Sequence, residues 1–150
     1  MNRLYWIYLI TLLITAGCRG SSDRDYPIDV LDPALQLELI AEAPDIVTPI
    51  GLVFDERDAL FVLESHTHSP QSDYPGPAFD RIKKGVDDDS DGLPERWLIF
   101  ADSLEDGMNL AYAKEYGIFA ATKNSVLLFP DRNRDGVSDE CRVLLRMEKP

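Results

Sequence analysis

The hydrophobic and polar positions of this chain form short runs that favour β-strands. In the second half, runs of strand-favouring residues lie at about 109–113, 117–121, 125–129 and 141–145. Turn signals bound each run, which is the pattern of short strands joined by tight connections. This half of the chain is therefore predicted to form four short consecutive strands.

The pattern also occurs in the first half, so the chain contains an internal repeat. Residues 54–65 recur as residues 112–123 at an offset of 58, and residues 87–95 recur as residues 131–139 at an offset of 44. The difference between the two offsets means that the first copy carries fourteen additional residues. These are residues 66–79, which we call the insertion.

The repeat indicates the architecture. Four strands in about 44 residues is the spacing of a β-propeller blade, and blades bury their faces against neighbouring blades. We predict an all-β fold in which residues 34–150 form about two four-stranded blades of a β-propeller and a leading strand. The leading strand is expected at residues 35–42, where Leu35, Leu37 and Leu39 alternate with polar positions. Because two blades do not close a ring, we expect the chain to be the N-terminal part of a longer protein.

The start of the chain has the features of an export signal. Arg3 precedes a largely apolar run at residues 4–16, and small residues follow it. The sequence Thr-Ala-Gly-Cys ending at Cys18 resembles the bacterial lipobox, in which cleavage leaves a lipid-bearing N-terminal cysteine. This predicts a signal peptide at residues 1–17, a lipid-anchored tether at residues 18–33, and an exported periplasmic or cell-surface lipoprotein that is held at the membrane. The alternative is an ordinary signal peptide, with Cys18 incidental.

The charge of the chain is acidic and unevenly spread. Lys and Arg number 15 against 27 Asp and Glu, which gives a formal net charge of −12. Nucleic acids and anionic membrane surfaces require clustered Lys and Arg, so neither is expected as a binding partner. Nine of the 27 acids lie in residues 87–95 and 131–140, and this concentration predicts two cation sites.

The two acidic stretches follow one ligand pattern. In each, oxygen-bearing side chains occupy alternate positions, a glycine follows at position six, and an acid comes at position nine. Calcium prefers about six to eight oxygen ligands, and alternate side chains on a tightly turning loop can converge on one ion. With a backbone carbonyl at position seven, the predicted Ca²⁺ ligands are Asp87, Asp89, Asp91, Leu93 and Glu95 in the first loop and Asp131, Asn133, Asp135, Val137 and Asp139 in the second.

These loops are not EF-hands, because Leu98 and Arg142 stand where the acid at position 12 would be. The nine-residue form is similar to the calcium loops of thrombospondin type-3 repeats. The alternative is a pair of solvated hairpin loops, since Asp-Gly is itself a turn signal.

Both histidines of the chain lie in the insertion. If the preceding strand continues, then Glu64, His66 and His68 project to one side of it, an arrangement that suits a transition metal or a general base. The alternative is that they are polar loop residues that fix a turn. The second cysteine, Cys141, falls in an apolar run and is expected to be buried.

The strand order predicts which end of the blades each feature occupies. The acidic loops join the third and fourth strands, whereas the insertion joins the second and third, and residues 101–108 are expected to join the blades. Propeller pockets generally open at the latter end, so we expect His66, His68, Tyr74 and Asn109 to line or overhang a substrate entrance. The alternative is that the insertion contacts a neighbouring domain or lies in solvent.

Several motifs together resemble a known family. The segments Gly-Leu-Val-Phe-Asp ending at Asp55, Leu-Phe-Val-Leu-Glu-Ser ending at Ser65 and Asp-Arg-Ile ending at Ile82, with residues 35–44 and the two acidic loops, are similar to the start of membrane-bound dehydrogenase-like propeller proteins of planctomycete and verrucomicrobial type. These proteins are relatives of the glucose/sorbosone dehydrogenases. The resemblance implies a propeller of six blades or a similar number, export, and oxidation of a sugar with pyrroloquinoline quinone (PQQ) and an electron acceptor.

The resemblance carries over no catalytic residue. The catalytic histidine of the soluble sugar dehydrogenases belongs to a later motif that His66 and His68 do not match. Two functions therefore stay open: a PQQ-dependent oxidoreductase whose catalytic residues are unknown, or a non-enzymatic, calcium-braced propeller that binds glycans or partner proteins.

Overall fold

The strand-favouring runs of both copies form strands in the computed structural model, which describes residues 28–70 and 72–148. The first copy forms β1 (Pro49–Phe54), β2 (Leu60–Glu64), β3 (Asp80–Val86) and β4 (Arg96–Leu104), and the second forms β5 (Gly107–Ala113), β6 (Gly117–Thr122), β7 (Ser125–Phe129) and β8 (Arg142–Arg146). All eight strands lie in one compact unit, Glu38–Pro150. In the described part of the chain, no helix is long and apolar enough to cross a bilayer.

The strands form two four-stranded antiparallel sheets with the orders β1-β2-β3-β4 and β5-β6-β7-β8. This confirms the predicted all-β class and the division of each copy into four consecutive strands. The repeat extends to an irregularity of the pairing, because the register shifts between Pro49 and Gly51 in β1 and between Gly107 and Asn109 in β5. These positions are related by the same offset of 58 residues that relates the two copies.

The two sheets share one hydrophobic core. The first sheet contributes Phe61, Leu63, Ile82, Phe100 and Leu104, and the second contributes Leu110, Ile118, Ala120 and Phe129. On β6 the burial alternates residue by residue, because successive side chains of a strand point to opposite faces. The rings of Phe61 and Phe100 meet edge to face, with their centroids 4.9 Å apart. Burial of each large side chain stabilises the fold by about 1.5–3 kcal/mol.

The predicted leading strand at residues 35–42 does not form. In the structure these residues adopt no strand, and the side chains of Leu35 and Leu37 are 66% and 55% exposed. A strand requires a neighbour to pair its N–H and C=O groups, and no described strand pairs with this segment.

Two further expectations are corrected. The connection between the two sheets lies within residues 101–108 but is shorter than expected, because β4 runs to Leu104 and β5 begins at Gly107. The pairing of β3 with β4 shifts register between Asp80 and Ile82, opposite Asp102 and Ser103. Cys141 is exposed rather than buried. It precedes β8, an edge strand whose residues are all exposed, so the apolar run around it has no sheet to pack against.

Candidate calcium loops and the insertion

Loop 1 (residues 87–95) connects β3 to β4, and loop 2 (residues 131–139) connects β7 to β8. The carboxylate at position one of each loop accepts a hydrogen bond from the glycine N–H at position six. The distances are 2.9 Å from Gly92 N to Asp87 Oδ2 and 3.1 Å from Gly136 N to Asp131 Oδ2. Each loop therefore turns around its first acid.

The other side chains of the pattern also accept backbone hydrogen bonds at equivalent positions in the two loops. Side chains at positions three and five accept from the N–H two residues onward, and the acid at position nine accepts from the N–H at position two. In loop 2, for example, Asp135 Oδ1 accepts from Val137 N at 2.9 Å and Asp139 Oδ2 from Arg132 N at 2.7 Å; the corresponding bonds of loop 1 measure 2.9 and 2.7 Å. Position four has a left-handed backbone in both loops, with φ of 63° at Ser90 and 61° at Arg134. The two loops thus share one conformation.

This conformation gathers acidic oxygens. In loop 1, one carboxylate oxygen from each of four acids lies within 4.8 Å of the others; the acids are Asp87, Asp89, Asp91 and Glu95. Four exposed carboxylates this close repel one another unless a cation lies between them. In loop 2, Asp131 Oδ1 is buried and has no hydrogen-bond partner. Leu93 and Val137 occupy position seven, directly after the glycine of each loop.

In each copy, an ion pair joins position two of the loop to the residue that directly follows the loop. The two charges are exchanged between the copies. In loop 1, Asp88 accepts from Arg96 Nε and Nη2 at 2.9 and 3.1 Å, and in loop 2, Arg132 donates to Glu140. Sequence reasoning missed this pair, although opposite charges at an offset of 44 were its signal. The hydrogen bonds from Arg142 and Arg132 lower the pKa of Glu140 to about 2.

Loop 2 also contacts the first sheet. Ser138 N donates to Phe100 O of β4 at 2.8 Å, and a Cβ placed on Gly136 would lie 3.0 Å from Leu98 Cδ1. A Cβ on Gly92 of loop 1 would meet nothing within 4 Å. Loop 2 is therefore part of the contact between the sheets, whereas Gly92 of loop 1 faces open space.

At the other end of the first sheet, the buried carboxylate of Asp80 holds the start of the insertion. Its Oδ1 accepts from His66 N at 2.5 Å and Thr67 N at 2.7 Å, and its Oδ2 accepts from Gly107 N at 2.8 Å and Thr67 Oγ1 at 3.0 Å. Burial raises the pKa of Asp80, but the hydrogen bonds from His66, Gly107 and Thr67 outweigh burial and hold this pKa below 3.8. One side chain thereby links the insertion to the first strand of the second sheet.

The insertion brings His66 and Tyr74 together. His66 is buried, with Nδ1 2.5 Å from the Tyr74 hydroxyl and Nε2 3.4 Å from Glu64 Oε2. Glu64 is also buried and lies 3.2 Å from Lys83 Nζ. His68 is exposed. The condition for all three to align, a strand that continues past Glu64, is not met, because β2 ends at Glu64 and the N–H groups of His66 and Thr67 donate to Asp80.

The insertion and loop 1 lie at opposite ends of β3, as the strand order predicts. The insertion leads into Asp80 at the start of β3, and loop 1 follows Val86 at its end. Asn109 is exposed on β5 beside Gly51. A substrate entrance at His66, His68, Tyr74 and Asn109 stays a prediction. Two cavities of about 310 and 480 Å³ lie at the other end, beside the acidic loops.

Cys18, the predicted signal peptide and most of the predicted tether lie outside the described residues. Comparison with protein families finds a match to a domain of unknown function (DUF7133) over residues 28–147. Comparison with curated proteins and with solved structures finds no match.

Proposed function

The chain belongs to the DUF7133 family, a domain of unknown function, and on that premise we propose that it is a calcium-binding segment of an exported β-propeller. Loop 1 and loop 2 each hold one Ca²⁺. The ions act structurally, since both loops lie between strands of a sheet and fix their connection.

One observation carries the proposal. The two loops differ in sequence, but they adopt the same conformation and share the residue types at the positions that would bind a cation. Positions one, three, five and nine bear a side-chain oxygen in both loops, and position six is glycine in both. Positions two, four and eight differ in charge or size, with Asp88 against Arg132 as the clearest case. The hydrogen bonds to backbone N–H groups explain the oxygen-bearing side chains one by one, but not why four carboxylates of loop 1 lie within 4.8 Å of one another, an arrangement that is repulsive without a cation.

The buried oxygen of Asp131 adds independent support. Its other oxygen caps Gly136 N, which explains why the residue is part of the turn. Oδ1 is buried without a hydrogen-bond partner, and a buried charged oxygen left unsatisfied is costly. A bound cation satisfies this oxygen.

The donor set favours Ca²⁺ over Mg²⁺. Each loop offers four side chains and the carbonyl of Leu93 or Val137, all of them oxygen donors on one flexible segment. Ca²⁺ accepts many oxygen ligands in irregular geometry, whereas Mg²⁺ demands a near-ideal octahedron and retains its waters.

The propeller is the architecture that best accounts for the two sheets. Both are four-stranded antiparallel meanders in chain order, and their first strands, β1 and β5, lie next to each other. In a propeller the first strands of consecutive blades line the central channel. We infer that the two sheets are consecutive blades, with export and a lipid anchor at Cys18 supported by the sequence pattern alone.

The resemblance to sugar dehydrogenases supports an oxidoreductase as the activity of the complete propeller. The insertion does not fit PQQ, a cofactor with several carboxylates, because it contains no Lys or Arg, and Lys83 of the neighbouring β3 is already paired with Glu64. We therefore assign no reaction step to these residues. The rival function, a calcium-braced propeller that binds glycans or partner proteins, is favoured by the cavities beside the loops.

Calorimetric titration of the full chain with Ca²⁺ tests the proposal. We expect two sites per chain, and we expect Asp87→Asn and Asp131→Asn each to weaken one site by about tenfold or more, because Ca²⁺ affinity follows the number of charged ligands. Asp88→Asn is the matched control, since Asp88 belongs to loop 1 but pairs with Arg96. Absence of Ca²⁺ binding, or an equal loss in the control, would contradict the proposal.

A further inference from the structure

A groove lies between the two acidic loops. It is a cavity of about 480 Å³ that contacts Asp87 and Ser90 of loop 1 and Arg134 and Asp135 of loop 2. Its volume is within the range of about 300–1,000 Å³ that small-molecule sites occupy. The groove adjoins the smaller cavity, and Arg57, Lys84 and Arg134 line both.

Four cations line the groove, which is notable in so acidic a chain. Arg96 is paired with Asp88, and the other three are those that also line the smaller cavity. Arg57 comes from the β1–β2 turn, where Asp55 Oδ1 accepts from its N–H at 2.8 Å and fixes the backbone. Lys84 comes from β3 and lies over the ring of Phe61, with Nζ 5.4 Å from the ring centroid. Among the described residues, none of the three cations forms an ion pair. Their charges are therefore open to a ligand.

The net charge of the groove depends on calcium. Asp58, Asp87 and Asp135 also line the cavity, and Asp87 and Asp135 are proposed Ca²⁺ ligands. Without Ca²⁺ their charges offset the cations. A Ca²⁺ ion in each loop adds two positive charges, against four carboxylate ligands in loop 1 and three in loop 2. It therefore offsets part of the charge of Asp87 and Asp135 and makes the groove more favourable to an anion.

The apolar wall of the groove indicates which class of ligand could bind there. Phe54 lines the groove with its side chain 50% exposed, next to Leu60 and Pro94. An aromatic ring packs against the apolar face of a sugar ring, and a guanidinium binds carboxylate or sulfate through paired hydrogen bonds. We propose that the groove binds the oxyanion of an acidic saccharide and that Ca²⁺ in the neighbouring loops is required. This inference rests on the proposed calcium function.

The test is calorimetric titration of the full chain with three oligosaccharides of equal length. Chondroitin sulfate carries sulfate and carboxylate groups, hyaluronan carries carboxylate groups alone, and a cello-oligosaccharide is neutral. With saturating Ca²⁺ we expect binding of an acidic oligosaccharide and not of the neutral one. Binding of hyaluronan identifies the carboxylate as sufficient, and binding of chondroitin sulfate alone identifies the sulfate. Removal of Ca²⁺ should weaken the binding by about tenfold or more.

Variants locate the site. Arg134→Ser installs the residue that loop 1 carries at the equivalent position with the same backbone conformation, Ser90, so the loop is expected to fold. Arg134→Ser and Lys84→Gln should each lower the affinity for the acidic oligosaccharide by about tenfold, which corresponds to the loss of a hydrogen bond to a charged group. Lys123→Gln removes the same charge in the β6–β7 turn, at the opposite end of the sheet, and should change nothing.

The outcomes separate this inference from the proposed function. Ca²⁺ binding without any oligosaccharide binding overturns the groove and leaves the calcium loops intact. Oligosaccharide binding that is unchanged by a chelator, or weakened equally by Lys123→Gln, also overturns the inference. Absence of Ca²⁺ binding overturns both proposals.

Discussion

At the scale of single residues, Asp80 connects three segments of the fold. Its carboxylate accepts from two consecutive N–H groups of the insertion and from Gly107 N of the second sheet. An apolar replacement would leave these buried donors unsatisfied. The sequence could not predict this role, because it depends on three segments that are distant along the chain.

We expect Asp80→Asn to lower the free energy of unfolding by about 2–4 kcal/mol, because one of the two acceptor oxygens becomes an NH₂ group that faces buried donors. Denaturant unfolding measures the change. Asp102→Asn, at a half-exposed carboxylate, is the control and should cost less than about 0.5 kcal/mol. Equal losses in the two variants would show that Asp80 does not hold the insertion.

The pH dependence follows from the direction of the pKa shift. The folded-state pKa of Asp80 lies below 3.8, its ordinary value. The stability that ionised Asp80 contributes to the fold is therefore fully present when the pH is above the ordinary pKa. It is lost as the pH falls through the lowered pKa of the folded state. We expect the acid unfolding transition to be shallower in Asp80→Asn than in the native chain, measured by circular dichroism. Identical acid transitions would contradict the assignment.

At the scale of elements, the two loops differ in what surrounds their glycines. Gly92 and Gly136 have φ of 92° and 86°, a conformation that costs a residue with a Cβ about 1–2 kcal/mol. At Gly136 the Cβ also crowds Leu98 Cδ1 at 3.0 Å, whereas at Gly92 it meets open space. We expect Gly136→Ala to destabilise the chain by about 1 kcal/mol more than Gly92→Ala, because of this additional crowding. Thermal unfolding of both variants measures the difference, and equal melting temperatures would show that Leu98 yields without cost.

The elements that the sequence predicted well are those that local pattern determines. The strands of the second copy and the placement of both acidic loops follow from strand-favouring runs and turn signals, and their bounds agree within one or two residues. The errors occurred where a partner decides the outcome. Residues 35–42 alternate correctly but have no described strand to pair with, and Cys141 lies in an apolar run at an edge strand with nothing packed against it.

At the scale of the whole molecule, the sequence predicted that two copies pack together but not which groups join them. The shared core follows from apolar positions in both copies. Two hydrogen bonds between the sheets could not be predicted in this way: the bond from Ser138 N to Phe100 O and the bond from Gly107 N to Asp80. They depend on the position of one sheet relative to the other.

The predicted lipid anchor, like the predicted export, concerns the protein as a whole. We expect the chain made in a bacterial host to partition into the detergent phase, and Cys18→Ala to move it to the aqueous phase, because lipid attachment requires the cysteine thiol. Cys141→Ala is the matched control, since Cys141 is an exposed cysteine in the described part of the chain. Equal partitioning of the native chain and Cys18→Ala would contradict the anchor.

Calcium should stabilise the fold as a whole, because it binds the folded loops and not the unfolded chain. A hundredfold excess over Kd stabilises by about 2.7 kcal/mol for each site, or roughly 10 °C in a domain of this size. Loop 2 also contacts the first sheet through Ser138, so an ion bound there would brace both sheets. We therefore expect Asp131→Asn to remove more of the calcium-dependent rise in melting temperature than Asp87→Asn. Thermal unfolding with Ca²⁺ and with a chelator measures this, and superimposable curves would mean that both loops are solvated hairpins.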